Sequence, residues 1–142
     1  MKKVCAFFLL LLSAARGGDS GKCGGNCDWE LNEDGTLFIR GSGEMENYAD
    51  DSSVPWYSQR DSITNVKISA GITTVGRYAF SDCLSLTSIN IPNSVTTVEK
   101  YAFSYCSSLT SIIIPSSVTT IGASAFYGCS SLTSIIISNS VT

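Results

Sequence analysis

A chain of 142 residues carries 12 acidic against 9 basic residues, a formal net charge of −3, and no histidine at all. The acidic balance disfavours nucleic acid and anionic membrane as partners, because both bind through basic faces. The missing histidine excludes Ser-His and Cys-His nucleophile pairs and histidine metal sites.

The first element is MKKVCAFFLLLLSAARGG. Lys2 and Lys3 form a short basic stretch, residues 4–12 an unbroken apolar run, and Ser13-Ala14-Ala15 the small residues a signal peptidase accepts, so residues 1–15 read as a secretory signal peptide. The apolar run is far short of the roughly 20 residues that cross a bilayer, so no membrane insertion is expected after cleavage. Removing Lys2 and Lys3 would leave seven of the nine basic residues against 12 acidic, a balance of −5. Removing Cys5 would leave five of the six cysteines, an odd number, so at least one thiol is expected to lack a partner in the monomer. There is no Asn-x-Ser/Thr sequon.

Residues 16–61 read as a small β-rich cap. DWELNEDGTLFIRG at 28–41 places Asp34-Gly35, a hairpin-turn signal, between two strand-like runs. Trp29, Leu31, Leu37 and Ile39 have strand spacing and are expected to cover whatever core follows. Tyr48, Trp56 and Tyr57 could contact a carbohydrate or matrix ligand, but large aromatics more often shield the end of a core, and that reading is favoured. The carboxylates Asp28, Glu30, Glu33, Asp34, Glu44, Glu46, Asp50 and Asp51 lack the D-x-D-x-D-G ligand spacing of a calcium loop and read as a solvated face. Cys23 and Cys27 are close enough in sequence for a disulfide in an oxidising compartment, and no second pair suggests zinc.

Residues 62–142 repeat. VKISAGITTVGRYAFSDCLSLTS at 66–88 is followed by INIPNSVTTVEKYAFSYCSSLTS at 89–111, by IIIPSSVTTIGASAFYGCSSLTS at 112–134, and by IIISNSVT to the end. A fixed period of this length with regular apolar positions marks a solenoid, above all a leucine-rich repeat. Leu86, Leu109 and Leu132 form one column; Ile89, Ile112 and Ile135, then Ile91, Ile114 and Ile137, form two more, an L-x-x-I-x-I strand whose isoleucines are expected to point inward. Pro92 and Pro115 end the strand, having no N–H for a ladder. Ala79, Ala102 and Ala125 allow close packing of coils, and Phe80, Phe103 and Phe126 are expected to stack. Cys83, Cys106 and Cys129 recur at the same period and read as small apolar filler rather than a metal or redox site. Glu99 stands where the other coils have Gly76 and Gly122, so that column is not expected to demand positive φ.

The consensus I-x-I-P-x-S-V-T-x-I-G-x-x-A-F-x-x-C-x-S-L-T-S resembles the repeat of the BspA-like leucine-rich repeat surface proteins. The upstream Cys23, Trp29-Glu30-Leu31 with Asp34-Gly35-Thr36-Leu37, Gly41-Ser42-Gly43 with Met45, and Pro55-Trp56-Tyr57 resemble that family's N-terminal cap. The resemblance implies a secreted or cell-surface protein that binds macromolecules such as host matrix or cell-surface proteins. Ser138 departs from the proline of the earlier coils. The chain stops eight residues into a coil with no polar cap, so either a longer solenoid or an end that pairs with something is expected.

No catalytic constellation and no cofactor motif emerges. Lys22, Lys67 and Lys100 sit in no Ser-Lys motif, and Gly41-Ser42-Gly43 is too short for a phosphate loop. The exposed strand face of a leucine-rich solenoid is its usual binding surface. Here that face is expected to comprise Lys67, Thr87, Ser88, Asn90, Thr110, Ser111, Ile113, Thr133, Ser134 and Ile136, nearly uncharged and suited to a broad protein contact. The functional expectation is an extracellular adhesion or protein-interaction module without enzymatic activity. The alternative is a structural solenoid that self-associates end to end through its last coil.

Overall fold

The computed structural model describes residues 20–142; the signal-peptide reading of residues 1–15 lies outside them. The chain folds into stacked coils preceded by an antiparallel hairpin unit. β1 (Ser20–Gly24) pairs antiparallel with β2 (Cys27–Leu31), and β2 with β3 (Thr36–Glu44). The turn between β2 and β3 contains Asp34-Gly35, with Gly35 at φ 84° and the Asp34 carboxylate accepting the Thr36 N–H at 2.9 Å. That is a side-chain-stabilised turn of the kind Asp-Gly favours. Cys23 and Cys27 close the β1–β2 turn as a disulfide, Cα to Cα 4.9 Å.

Nine-residue β3 joins the two parts. Its first half pairs in parallel with β4 (Asn65–Ile68), Leu37 opposite Val66 and Ile39 opposite Ile68. Its second half pairs in parallel with β5 (Gly71–Val75), Ser42 opposite Gly71. Backbones approach closely at the bend: a Cβ on Gly71 would lie 2.3 Å from the Gly41 carbonyl oxygen, so only glycine fits.

Each coil then contributes two short strands. One row holds β4, β6 (Ser88–Asn90), β8 (Ser111–Ile114) and β10 (Ser134–Ile137); the other holds β5, β7 (Thr97–Val98) and β9 (Thr120–Ile121). Pairings within both rows are parallel and offset by one repeat, as with Val66 opposite Ile89, Val75 opposite Val98 and Ile112 opposite Ile135. The second row is continuous from β5 to β9, whereas in the first β6 pairs only with β4 and β8 only with β10.

Between the rows lies the core. Val66, Ile72, Val75, Leu86, Val95, Val98, Leu109 and Val118 are fully buried. Phe80, Phe103 and Phe126 stack at 5.4 and 5.5 Å between ring centroids, and Trp56 continues the stack onto Phe80 at 5.9 Å. The stack thus crosses from the hairpin unit into the repeats. Trp56 is 1% exposed, and its indole N–H donates to the Ala79 carbonyl at 2.9 Å. Trp29 and Tyr48 meet Trp56 edge-on.

Two details differ from the sequence reading. Ile135 and Ile137, expected to point inward, are 39% and 44% exposed, because β10 is paired on one side only. Ile89 is only half-buried, whereas Ile112 is buried. The Gly76 and Gly122 column does not use positive φ, consistent with Glu99 between them; at Gly122 itself a Cβ would lie 2.3 Å from the Lys100 nitrogen. Left-handed residues fall in two other columns: Tyr78, Tyr101 and Ser124 in one, Asp82, Tyr105 and Gly128 in the next.

Candidate functional site: the strand face of the repeats

The strand row places the ten sequence-derived candidates on one surface. Lys67, Thr87, Ser88, Asn90, Thr110, Ser111, Ile113, Thr133, Ser134 and Ile136 are all exposed. Ile113 and Ile136 stand out at 65% and 58% exposure and lie directly opposite one another across the β8–β10 pairing. Ser111 and Ser134 are likewise paired. The period-2 alternation of a strand explains the pattern: Ile112 and Ile114 turn into the core at 3% and 2% exposure, so Ser111 and Ile113 must turn out.

The face is almost free of charge. From Tyr101 to Thr142 the chain holds no Asp, Glu, Lys or Arg. Lys67 is the one ionisable group among the ten candidates, and its ammonium lies 5.7 Å from the Phe38 ring centroid, at the edge nearest the hairpin unit.

The threonines are held in place by the coils beneath them. Thr87 donates both its N–H (2.9 Å) and its hydroxyl (3.0 Å) to the Thr64 carbonyl, and Thr133 does the same to Thr110 at 3.0 and 3.2 Å. Between those rungs the pattern breaks. Neither the Thr110 N–H nor its hydroxyl bonds the Thr87 carbonyl, and β6 and β8 do not pair with each other. The seam opens into a depression of about 310 Å³ lined by residues 87–91 and 111–113. Five of the ten candidates, Thr87, Ser88, Asn90, Ser111 and Ile113, line it. Asn90 stands where the next two coils have Ile113 and Ile136; asparagine is a poor strand former, and β6 is only three residues long. The sequence reading found the face and missed the seam, whose only sequence signal is that Asn90.

Other candidate groups are used otherwise. Asp34 and Asp50 are turn carboxylates: the Thr36 N–H holds Asp34 below the usual carboxylate range, and the Ser52 and then the Ser53 hydroxyl do the same for Asp50. Among the described residues no group of three His, Cys, Asp or Glu side chains could hold a metal ion. Also among them, no helix is long and apolar enough to cross a membrane. Tyr48 and Trp56 are core residues, and Tyr57 carries the Arg60 guanidinium 3.9 Å above its ring. A larger hollow of about 550 Å³ lies beside the disulfide turn, but its rim of Gly25, Glu44, Glu46 and Asn47 is exposed, and Met45, which also lines it, is buried in the core.

Comparison with known proteins agrees with this architecture. A family described as BspA type leucine-rich repeat region matches residues 55–142 in six copies. A leucine-rich repeat protein from Eubacterium ventriosum superposes with a TM-score of 0.67 at 24% identity, over 84% of this chain and 40% of that one. A second, from Bacteroides capillosus, superposes with a TM-score of 0.51 at 17% identity, over 85% of this chain and 99% of that one. The chain thus spans less than half the length of the first of these proteins. The sequence matches no curated protein.

Proposed function

We propose a macromolecule-binding role outside the cell for this chain, which belongs to the BspA type leucine-rich repeat family. The reading has the chain secreted or held at the cell surface, gripping a protein partner through the strand face of its repeats, with no enzymatic step. The observation that carries it is the paired, 65% and 58% exposed Ile113 and Ile136 on a rigid face that is otherwise hydroxyl-lined and uncharged. Apolar side chains standing together on such a face mark contact sites. The unbonded Thr87 carbonyl and Thr110 N–H at the seam supply hydrogen-bonding groups beside them. A partner for this face is itself poor in charge, because burying an ionised group against it would leave that group unpaired.

The test is binding of the recombinant chain to host matrix proteins and intact cells. Ile113→Asp and Ile136→Asp are solvent-facing changes, so folding should survive them. Each is expected to weaken capture by at least tenfold, while capture by the parent chain should change little between low and high salt. Unchanged capture by both variants sinks the strand-face reading. Concentration-dependent oligomers that Ile136→Asp abolishes would instead mean that the chain contacts copies of itself.

A further inference from the structure

The split between β6 and β8 is confined to one side of the coils. Across the same two coils the second row stays joined: Thr97 lies opposite Thr120, and the Gly122 N–H donates to the Val98 carbonyl at 2.7 Å. Beyond the phenylalanine stack the Phe103 N–H donates to the Ala125 carbonyl at 2.8 Å. β10 pairs with the far edge of β8, so the opening is flanked by bonded strands on both sides. The Cα atoms of β6 and β8 still approach within 8 Å of each other. Paired strands lie about 4.8 Å apart, so a whole strand laid between them would need roughly 9.6 Å. The gap is too narrow for an added strand and wide enough for a side chain.

Its lining fits one. Ile89, Ile91 and Ile112 turn toward the core, yet all three line the depression, so it passes between the strands and reaches core side chains. Ser88, Asn90 and Ser111 form its exposed rim. No aromatic ring and no charged side chain lines it. A planar base or sugar ring finds no aromatic face there, and an ionised side chain would enter without a counter-ion.

The rim also keeps one acceptor and one donor. In the neighbouring rungs the equivalent groups are bonded, the Thr87 N–H to the Thr64 carbonyl at 2.9 Å and the Thr133 N–H to the Thr110 carbonyl at 3.0 Å. At the split the Thr87 carbonyl and the Thr110 N–H bond to neither each other nor another backbone group. One residue of a peptide carries the complement of that pair, one N–H and one carbonyl.

We propose that the seam takes one leucine or isoleucine side chain from an extended, uncharged segment of a protein partner. The main-chain N–H of that segment donates to the Thr87 carbonyl, and a main-chain carbonyl accepts the Thr110 N–H. The contact rests on the strand-face role proposed above and gives it an anchor. Main-chain bonds supply affinity and the side-chain pocket supplies selectivity, as in other recognition of extended peptides.

The test is a nuclear magnetic resonance titration of the isotope-labelled parent chain, with Cys23–Cys27 intact, using the capped peptide Ac-Ser-Ser-Leu-Ser-Ser-NH2 as probe. Amide shifts should centre on residues 87–91 and 110–113. Exchange of the Thr110 amide proton should slow at least tenfold when the probe saturates the chain. Replacing the probe's leucine by alanine should weaken binding at least tenfold, and methylating the leucine nitrogen should weaken it about fivefold. No shifts up to millimolar probe, shifts centred on Ser134 and Ile136 instead, equal affinity for the leucine and alanine probes, or a Thr110 amide no slower when bound would each overturn the proposal. All of these are read on the parent chain, so none depends on a variant that fails to fold. The two roles fail separately. A silent seam beside matrix capture that Ile113→Asp weakens overturns the anchor alone. A leucine probe seated in the seam of a chain that captures neither matrix nor cells overturns the extracellular role and leaves the anchor standing.

Discussion

Phe103 is the residue whose removal should cost most, and the amount follows from its neighbours. It is fully buried and stacked on both sides, 5.4 Å from Phe80 and 5.5 Å from Phe126, with interplanar angles of 19° and 3°. Phe→Ala in a core costs about 3–5 kcal/mol, and offset aromatic pairs contribute about 0.5–1.5 kcal/mol each beyond the area they bury. With two such pairs and no open side through which the site can collapse, Phe103→Ala belongs at the top, about 5 kcal/mol. Phe126 is half-buried and stacked on one side only, so Phe126→Ala should cost roughly half as much, about 2–3 kcal/mol. Urea unfolding followed by the fluorescence of Trp29 and Trp56 and by far-ultraviolet circular dichroism measures both. At a slope of about 2 kcal/mol per molar, the Phe103 variant should unfold some 2–3 M earlier. Equal costs for the two variants, or a cost below about 2 kcal/mol for Phe103→Ala, would refute the claim that adjacent coils stabilise each other through this stack.

Three further outcomes follow from local geometry. Gly122→Ala places a methyl 2.3 Å from the Lys100 nitrogen and should cost about 1–3 kcal/mol, whereas Gly25→Ala meets nothing within 4 Å and should stay within about 0.5 kcal/mol of the parent; thermal unfolding compares them. Reducing Cys23–Cys27 frees a five-residue loop, which corresponds to about 2 kcal/mol in the chain-entropy estimate, read as a lower urea midpoint in the presence of reductant. Asp82 is held above the usual carboxylate range first by partial burial and then by the hydrogen-bonded Asp51 carboxyl. Its folded value thus lies above its unfolded one, so stability from this group is full below the unfolded value near 3.8 and is lost as pH rises through the folded value. Asp82→Asn should therefore stabilise the chain by about 0.5 kcal/mol at pH 7 and flatten that part of the pH profile; a loss of stability at pH 7 would contradict the assignment.

How much of this was legible depended on whether a residue repeats. The isoleucine, phenylalanine and alanine columns could be read because each recurs at a fixed interval, and stacking turns a sequence column into a spatial one. Trp56 is a unique residue. Its place atop the phenylalanine stack depends on the 3-10 turn Tyr57–Ser62 that follows it, which has no periodic signal, and on an indole N–H bond to the Ala79 carbonyl that a tryptophan occurring outside the repeats does not announce. The same holds for β3, whose two halves serve two different partners around the bend at Gly41. The left-handed columns escaped for another reason. Tyr78 and Tyr101 are not residues that announce positive φ, and they hold it because the ladder of backbone bonds on both sides leaves no other path.

The proposed binding surface shows what repetition does when it is imperfect. A perfect column gives identical rungs, and identical rungs bond fully to each other, leaving no group free. The seam in this scaffold comes from the rung that differs. Asn90 replaces the isoleucine of the following coils, and at that rung the strand row parts, Ile89 comes partly into the open and the Thr87 carbonyl is left unbonded. Restoring the column tests the point directly. If Asn90→Ile closes the seam, the amide protons at 88–113 should become more protected from hydrogen exchange, and partner capture should weaken although the face becomes more apolar. If capture strengthens in step with apolar area, the seam is incidental, and the isoleucines alone make the contact.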